Sequence, residues 1–368
     1  MLVLSACGTT DDDNGDGGDA AGGEAACDLS LAFFGPKTGP AAGLGAPIIN
    51  GVKLALDEYN ADAECEVAYE EFDSQGSPDQ APSLATQASG NEKIIGVVGP
   101  AFSGESAAAG PIFAEAGLPT VSPSATNPAL ADNGWDTFHR ALGNDATQGP
   151  AAAKYIQDTL QAKAVFVMDD ASEYGAGLAG IVEESLGDAV VDTDTIQVGD
   201  TDFSASVTKV NASKADTVFF GGYYAEAALI VSQLREKGFE GTFVVADGVK
   251  DPGYLDGAKD AAEGTIITCP CIPATDPAVA DFAKAYEAEY GEAPGTYAAE
   301  AYDAASIFLD GIAEGISTRE DMLAFVNDYD EAGITKQLKF GENGEPEDVH
   351  VYAYKVEGGE IAGGEEIS

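Results

Sequence analysis

The chain has 368 residues, with 64 acids against 17 Lys and Arg and a formal charge of −47. That balance excludes nucleic-acid binding, which needs a basic footprint. An apolar content of 45% over this length suits two packed lobes better than one core. The acids are spread along the whole chain, so they read as a highly solvated surface, with a salt-rich habitat as a second reading.

At the N-terminus, "LSAC" (Leu4 to Cys7) fits the pattern in which small residues precede a cysteine that is acylated and becomes the mature N-terminus. The residues before it are too few for a signal peptide, so "MLVL" reads as the tail of an apolar core behind a truncated or misplaced start. Residues 8–26 are Gly- and Asp-rich with nothing to bury, and are expected to form a disordered tether. No apolar run approaches the ~20 residues of a membrane span.

Strands are predicted over 29–34, 66–72, 94–99, 164–169, 190–196, 217–222, 242–247 and 265–269. Helices are predicted between them, over 47–59, 78–89, 104–116, 148–160, 175–186, 203–213 and 224–237. In the last of these, Ala228, Ile230, Val231 and Leu234 make one apolar face and Gly238 ends it. Repeated βα units imply parallel sheets with helices on both faces. One series runs from Cys27 to Gly143 and a second from Asn144 to Cys271. Three helices follow, over 277–290, 296–315 and 319–328, then strands over 337–341 and 349–356. The late helices lack strands between them and must cover an existing sheet, expected to be the first. The expected division is 27–143 plus 272–335 for one lobe and 144–271 plus 336–368 for the other, with three crossings forming a stiff hinge.

Besides Cys7, four cysteines remain. In an exported chain they suggest two disulfides among three possible connectivities. Cys27 with Cys65 and Cys269 with Cys271 are the expected pairs. A zinc site is disfavoured, because no CxxC knuckle is present.

In open α/β sheets, ligands bind beyond the carboxyl ends of strands. Those ends carry "GPKTGP", "GPAFSGES" and "SPSATNP" in the first series, and "DDASEYGAG", "GGYYAE" and "ADGVKDP" in the second. Facing rims of this kind make a cleft. Ser103, Gly104 and Ser106 open a helix whose free N–H groups suit a carboxylate, though Ser103 could equally be an ordinary cap. Ser124 and Thr126 lie between Pro123 and Pro128, which restrict the backbone, though a plain strand-to-helix turn has the same look. Tyr223 and Asp247 fall at strand ends. Asp247 could hold an ammonium, with Tyr223 adding a hydroxyl or ring face, or they could be a turn residue and a packing aromatic. Gly175, Gly177 and Gly180 match GxGxxG, but they do not follow their strand directly and Asp169 and Asp170 stand where a pyrophosphate would approach. Catalysis is poorly supported: there is no GxSxG elbow and no P-loop, and the two histidines, His139 and His350, are far apart in sequence.

With "GPAFSGES", "SPSATNP", "NDATQGPAAAKYI", "YGAGL" and "FFGGYYAEAALIVSQLREKG" in hand, residues 28 to 358 resemble the leucine/isoleucine/valine-binding proteins of bacterial ABC importers. These form a branch of the type I periplasmic binding fold. The resemblance implies two Rossmann-like lobes and a binding protein without enzymatic activity or cofactor. It also implies a lipid-anchored, extracytoplasmic monomer that hands a small amino acid, a branched-chain one foremost, to a membrane permease; the alternative is the same fold binding an amide, urea-like or aromatic acid ligand, or acting as a ligand sensor rather than in transport. It places the ligand carboxylate at Ser103, Ser124, Ala125 and Thr126, the ammonium at Asp247, and Tyr174 and Tyr223 on the rim of the second lobe. Three positions depart from the family. Asp247 is one methylene shorter than the usual Glu, Leu44 stands where some members have an aromatic, and Phe102 replaces a cysteine.

Overall fold

The computed structural model describes residues 28–368. Cys7, the tether and Cys27, and with them the expected Cys27–Cys65 pairing, lie outside the described residues.

The first sheet is built from β1 (Ser30–Gly35), β2 (Ala68–Asp73), β3 (Ile94–Val98), β4 (Thr120–Ser122) and β5 (Phe138–Arg140), in the order β2-β1-β3-β4-β5. All neighbours are parallel. Its connecting helices are α1 (Ala42–Asp62), α2 (Ala81–Gly90) and α3 (Ser103–Glu115). The second series supplies α4 (Asp145–Lys154), β6 (Val165–Asp169), α5 (Glu173–Leu186), β7 (Val190–Thr195), α6 (Ser204–Ser213), β8 (Thr217–Gly221), α7 (Tyr224–Glu236), β9 (Thr242–Val245), α8 (Pro252–Ala258) and β10 (Ile266–Cys269). Three helices follow, α9 (Ala280–Tyr290), α10 (Ala298–Ala313) and α11 (Arg319–Asn327), then β11 (Asp330–Ala332), β12 (Gln337–Lys339), β13 (Tyr352–Glu357) and β14 (Glu360–Glu366).

The late helices return to the first sheet: α10 lies along α1, and both α10 and α11 pack on β3. A Cβ added at Gly96 would fall 2.5 Å from the Phe308 ring, so a glycine in β3 lets α10 lie close. All five residues of β3 are buried, as a strand covered on both faces requires. The second sheet has the order β14-β13-β10-β9-β8-β6-β7. Its inner strands are parallel, while β13 and β14 extend it antiparallel. The chain therefore passes between the sheets three times: after β5, after β10 and before β13.

Some expectations change in detail. The expected late strand over 337–341 forms at 337–339 but pairs with β11 in a separate two-stranded sheet. Helix α1 begins before Pro47 rather than at it. Helix α4 starts at Asp145, three residues earlier than expected, and ends in a π-helical turn over Tyr155–Thr159. Cys269 and Cys271 are fully buried with Cα atoms 5.1 Å apart. Connectivity brings two cysteines one residue apart together whether or not they are bonded, so adjacency does not establish the expected bridge. No helix among the described residues is long and apolar enough to cross a membrane.

Candidate ligand cleft

The turn after β4 is fixed from several directions. Ser122 donates its hydroxyl to the Pro100 carbonyl (2.7 Å) and accepts from the Ala125 N–H (3.0 Å). Ser124 donates to the Ala101 carbonyl (2.6 Å). The Ser103 hydroxyl accepts from the Asn127 N–H (3.2 Å), so it ties helix α3 to this turn. Helix α3 starts at Ser103 itself, and the Glu105 carboxylate accepts the Phe102 N–H at 3.0 Å; Ser103 is therefore not the cap. From behind, buried Arg140 donates to the carbonyls of Ala125 (2.6 Å) and Asn127 (3.0 Å) and pairs with Glu345 at 3.0 Å. The hydroxyl-rich ends of β3 and β4 thus hold each other and one wall of the cleft.

Asp247 stands two residues beyond β9 and is buried. Its Oδ1 accepts from Gln148 Nε2 (2.7 Å) and the Tyr174 hydroxyl (2.8 Å), and its Oδ2 from the Tyr297 hydroxyl (2.5 Å). Burial raises its pKa; those three donors oppose the rise. Tyr174 also accepts from the Gly248 N–H at 3.1 Å. Tyr297 precedes α10 with φ +67°, in the left-handed region that bulky residues avoid. Such a conformation costs on the order of 1–3 kcal/mol and persists only where the surrounding structure holds it.

A narrow, nearly filled cavity of about 10 Å³ lies between these walls. Phe102, Ser103 and Ser124 line it from the first-sheet side, Tyr174, Tyr223, Asp247 and Gly248 from the second, and Tyr297 from the approach to α10. Tyr223 packs between Phe102 (ring centroids 4.8 Å) and Tyr174 (5.3 Å), its ring tilted against both. Asn127 Nδ2 donates to the Glu173 carbonyl at 2.8 Å, closing the two sides against each other. Two of the three glycines of the GxGxxG match serve this packing, while Gly180 faces open space. A Cβ at Gly175 would fall 2.2 Å from Asp170 Oδ1, and one at Gly177 would fall 3.0 Å from Asn127 Nδ2.

Of the residues expected in the site, Ser103, Ser124, Tyr174, Tyr223 and Asp247 line the cavity together. Ala125 and Thr126 are buried in the turn behind it. Leu44 packs into the core rather than onto this wall. Sequence reasoning missed Arg140, Gln148, Asp145 and Tyr297. For two of them a signal existed. Asn144 caps α4 by accepting the Ala146 N–H at 2.9 Å, which puts Asp145 and Gln148 on one face of its first turn. No group of His, Cys, Asp and Glu among the described residues could hold a metal ion.

Comparison with known proteins agrees with this architecture. A sequence model described as periplasmic binding protein matches residues 28–360. A Leu/Ile/Val-binding protein of Rhizobium johnstonii is 32% identical over 347 residues, covering 92% of this chain and 94% of the relative. The leucine-specific-binding protein of Salmonella typhimurium is 33% identical over 281 residues, covering 75% and 76%. Among solved structures, a leucine-binding protein from Thermotoga maritima superposes with a TM-score of 0.87 at 28% identity, covering 92% of this chain and 99% of that one. The branched-chain amino acid transporter substrate-binding protein of Streptococcus pneumoniae, in complex with isoleucine, gives 0.86 at 29%, with the same coverage. Two lobes with polar strand ends facing across a narrow cleft, and a family match over nearly the whole described chain, lead to one conclusion: this chain belongs to the periplasmic binding protein family.

Proposed function

We propose that the chain is the extracytoplasmic solute-binding component of an ABC importer, and that it carries a small amino acid, a branched-chain one foremost, to a membrane permease. Asp247 is the observation that carries the choice of ligand. A carboxylate offers about four lone-pair sites, and three of those on Asp247 are occupied by protein donors. The fourth suits an ammonium. The Ser103 hydroxyl and the N-terminus of α3 across the cavity suit the carboxylate of the same zwitterion. Phe102, Tyr174 and Tyr223 supply apolar surface for a side chain. A neutral amide or an aromatic acid would leave the buried Asp247 without a cation.

The mechanism is binding without chemistry. The units 27–143 plus 272–335 and 144–271 plus 336–368 close on the ligand, water leaves, and the few polar contacts strengthen. A monomer anchored through lipid on Cys7 would remain beside its permease. Changing Cys7 to Ser in a precursor with its signal peptide should release the protein from membranes, and a variant that stays bound refutes the anchor. The Cys27–Cys65 disulfide is part of the same reading, and non-reducing peptide mapping that finds both thiols free refutes it.

A thermal-shift screen over amino acids and short amides tests the ligand. A ligand at 100 times its Kd adds about 2.7 kcal/mol to the folded state. Leucine, isoleucine or valine should give the largest shifts. Shifts from amides or aromatic acids alone would overturn the amino-acid reading.

A further inference from the structure

Asp145 opens α4 with its side chain fully buried, and neither of its carboxyl oxygens has a hydrogen-bond partner among the described residues. Thr126 Oγ1 and Gln148 Oε1, beside it, are also unpartnered. Thr126 is near enough to favour the ionised carboxyl, yet does not reach it with hydrogen-bond geometry. Three of these four atoms can only accept when the carboxyl is ionised, and buried acceptors without donors are costly.

The charged groups around Asp145 offer little relief. Arg140, from β5, is its nearest favourable charge, but that guanidinium is already paired with Glu345 and bonded to two carbonyls. Glu345 repels it from the loop after β12, and Asp247 repels it from the end of β9. The phenols of Tyr174 and Tyr223 sense its charge and are neutral. Arg140 and Glu345 offset each other, and the further cation that senses Asp247, buried Lys250, is lowered to about 8 by burial and turned to Thr296 and the Tyr354 ring, so among the described residues no cation is bonded to either buried carboxyl. Two like charges so placed do not both ionise readily, and the proton belongs to the pair. Asp247 has three donors to support its charge and Asp145 has none at bonding geometry, so Asp145 is where the proton rests.

We propose that Asp145 and Asp247 form a proton-sharing pair that exchanges its proton for the ammonium of an incoming ligand. On binding, the O–H bond of Asp145 breaks, the proton passes to solvent, and the ammonium supplies the positive charge that lets both carboxyls ionise. No other bond changes. The proposal rests on the amine-ligand reading above. It adds a consequence: affinity for a zwitterion rises with pH, by up to tenfold per unit while the pair holds its proton, and then levels off.

Isothermal titration of the described chain with L-leucine and L-isoleucine tests this, at pH 6, 7 and 8 in buffers of different ionisation enthalpy. In this range the ligand's own ammonium keeps its protons. The expected result is an apparent enthalpy that varies with the buffer and corresponds to release of as much as one proton per ligand. Glu105 and Asp170, raised to about 7 and about 6 by burial, also titrate near the cleft, so the wild type is compared with Asp145→Asn. That variant should still bind and should lose most of the buffer dependence and the pH slope of Kd. If Asp145→Asn does not fold, the same titration of Glu105→Gln and Asp170→Asn decides: a pH slope that survives in both supports the pair, and a slope lost with either overturns it. Leucine binding with a buffer-independent enthalpy and a flat Kd from pH 6 to 8 overturns the pair while leaving the amino-acid reading intact. Unchanged proton release in a folded Asp145→Asn overturns the assignment to Asp145. If no amine binds at all, both readings fall together.

Discussion

The Tyr297 hydroxyl donates to Asp247 Oδ2 at 2.5 Å, so a residue at the start of α10, which covers the first sheet, reaches a strand end of the second. The contact supports the Asp247 charge and spans the cleft at once. Tyr297→Phe removes the donor and leaves the ring. Hydrogen bonds to charged groups contribute about 1.5–3 kcal/mol, so amino-acid affinity should fall roughly 10- to 100-fold. Calorimetry on the folded variant measures this, and an unchanged Kd would separate the contact from ligand binding.

Asp247→Asn keeps size and removes the charge that an ammonium needs. Loss of a buried charge partner costs ~2–5 kcal/mol, or roughly 30-fold to several-thousand-fold in affinity. The measurement is titration with leucine, with the fold checked by circular dichroism. An affinity within about threefold of wild type, below ~0.7 kcal/mol, would remove Asp247 from the site.

Arg140 is buried, and its removal would strand both Glu345 and the carbonyls of Ala125 and Asn127. Breaking a buried pair costs about 3–5 kcal/mol, here toward the low end because Glu345 keeps some water contact. Arg140→Met should lower the urea midpoint accordingly. Adding Glu345→Gln should recover part of the loss, because no unpaired charge then remains. A double variant no more stable than the single one would show that the carbonyl bonds, and not the ion pair, dominate.

Burial raises the Glu105 carboxyl to about 7 against an ordinary value of 4.5, while Ser74 and the Phe102 N–H oppose the rise. The folded protein therefore binds this proton more tightly than the unfolded chain. The stability it contributes is full below about 4.5 and is lost as pH rises toward 7. Glu105→Gln cannot ionise. Between pH 4.5 and 7 the stability of the wild type should fall relative to that of the variant by roughly 2–3 kcal/mol. Parallel stability–pH curves for the two proteins would refute the buried titration.

The sequence made some parts of this arrangement legible and hid others, for physical reasons. Repeated apolar runs separated by amphipathic segments announce parallel βα units, and residues just past such runs must line a cleft. That logic places Ser103, Ser124, Tyr223 and Asp247. It fails where the deciding partner comes from elsewhere in the chain. Arg140 ends a three-residue strand too short to show a period, and its role appears only when the turn at 124–127 folds over it. Tyr297 carries no signal in sequence, because its meaning lies in a left-handed backbone and in a contact 50 residues away along the chain. Strand β5 escaped detection because it has only three residues, while β4, equally short, was legible only as the strand end that carries "SPSATNP". The antiparallel hairpin of β13 and β14 is a late addition that the βα rhythm does not announce.

The stretch of chain that begins each sheet leaves the first uncovered and the second without its last strands, and this constrains the order of events on the ribosome. Strand β3 keeps an uncovered face until α10 and α11 have been made. Strand β10 presents an open edge until Tyr352–Glu357 arrives to pair with it. A nascent chain stopped between β10 and α10 therefore carries both an exposed apolar face and an unpaired edge, the two features that make incomplete chains aggregate or recruit chaperones.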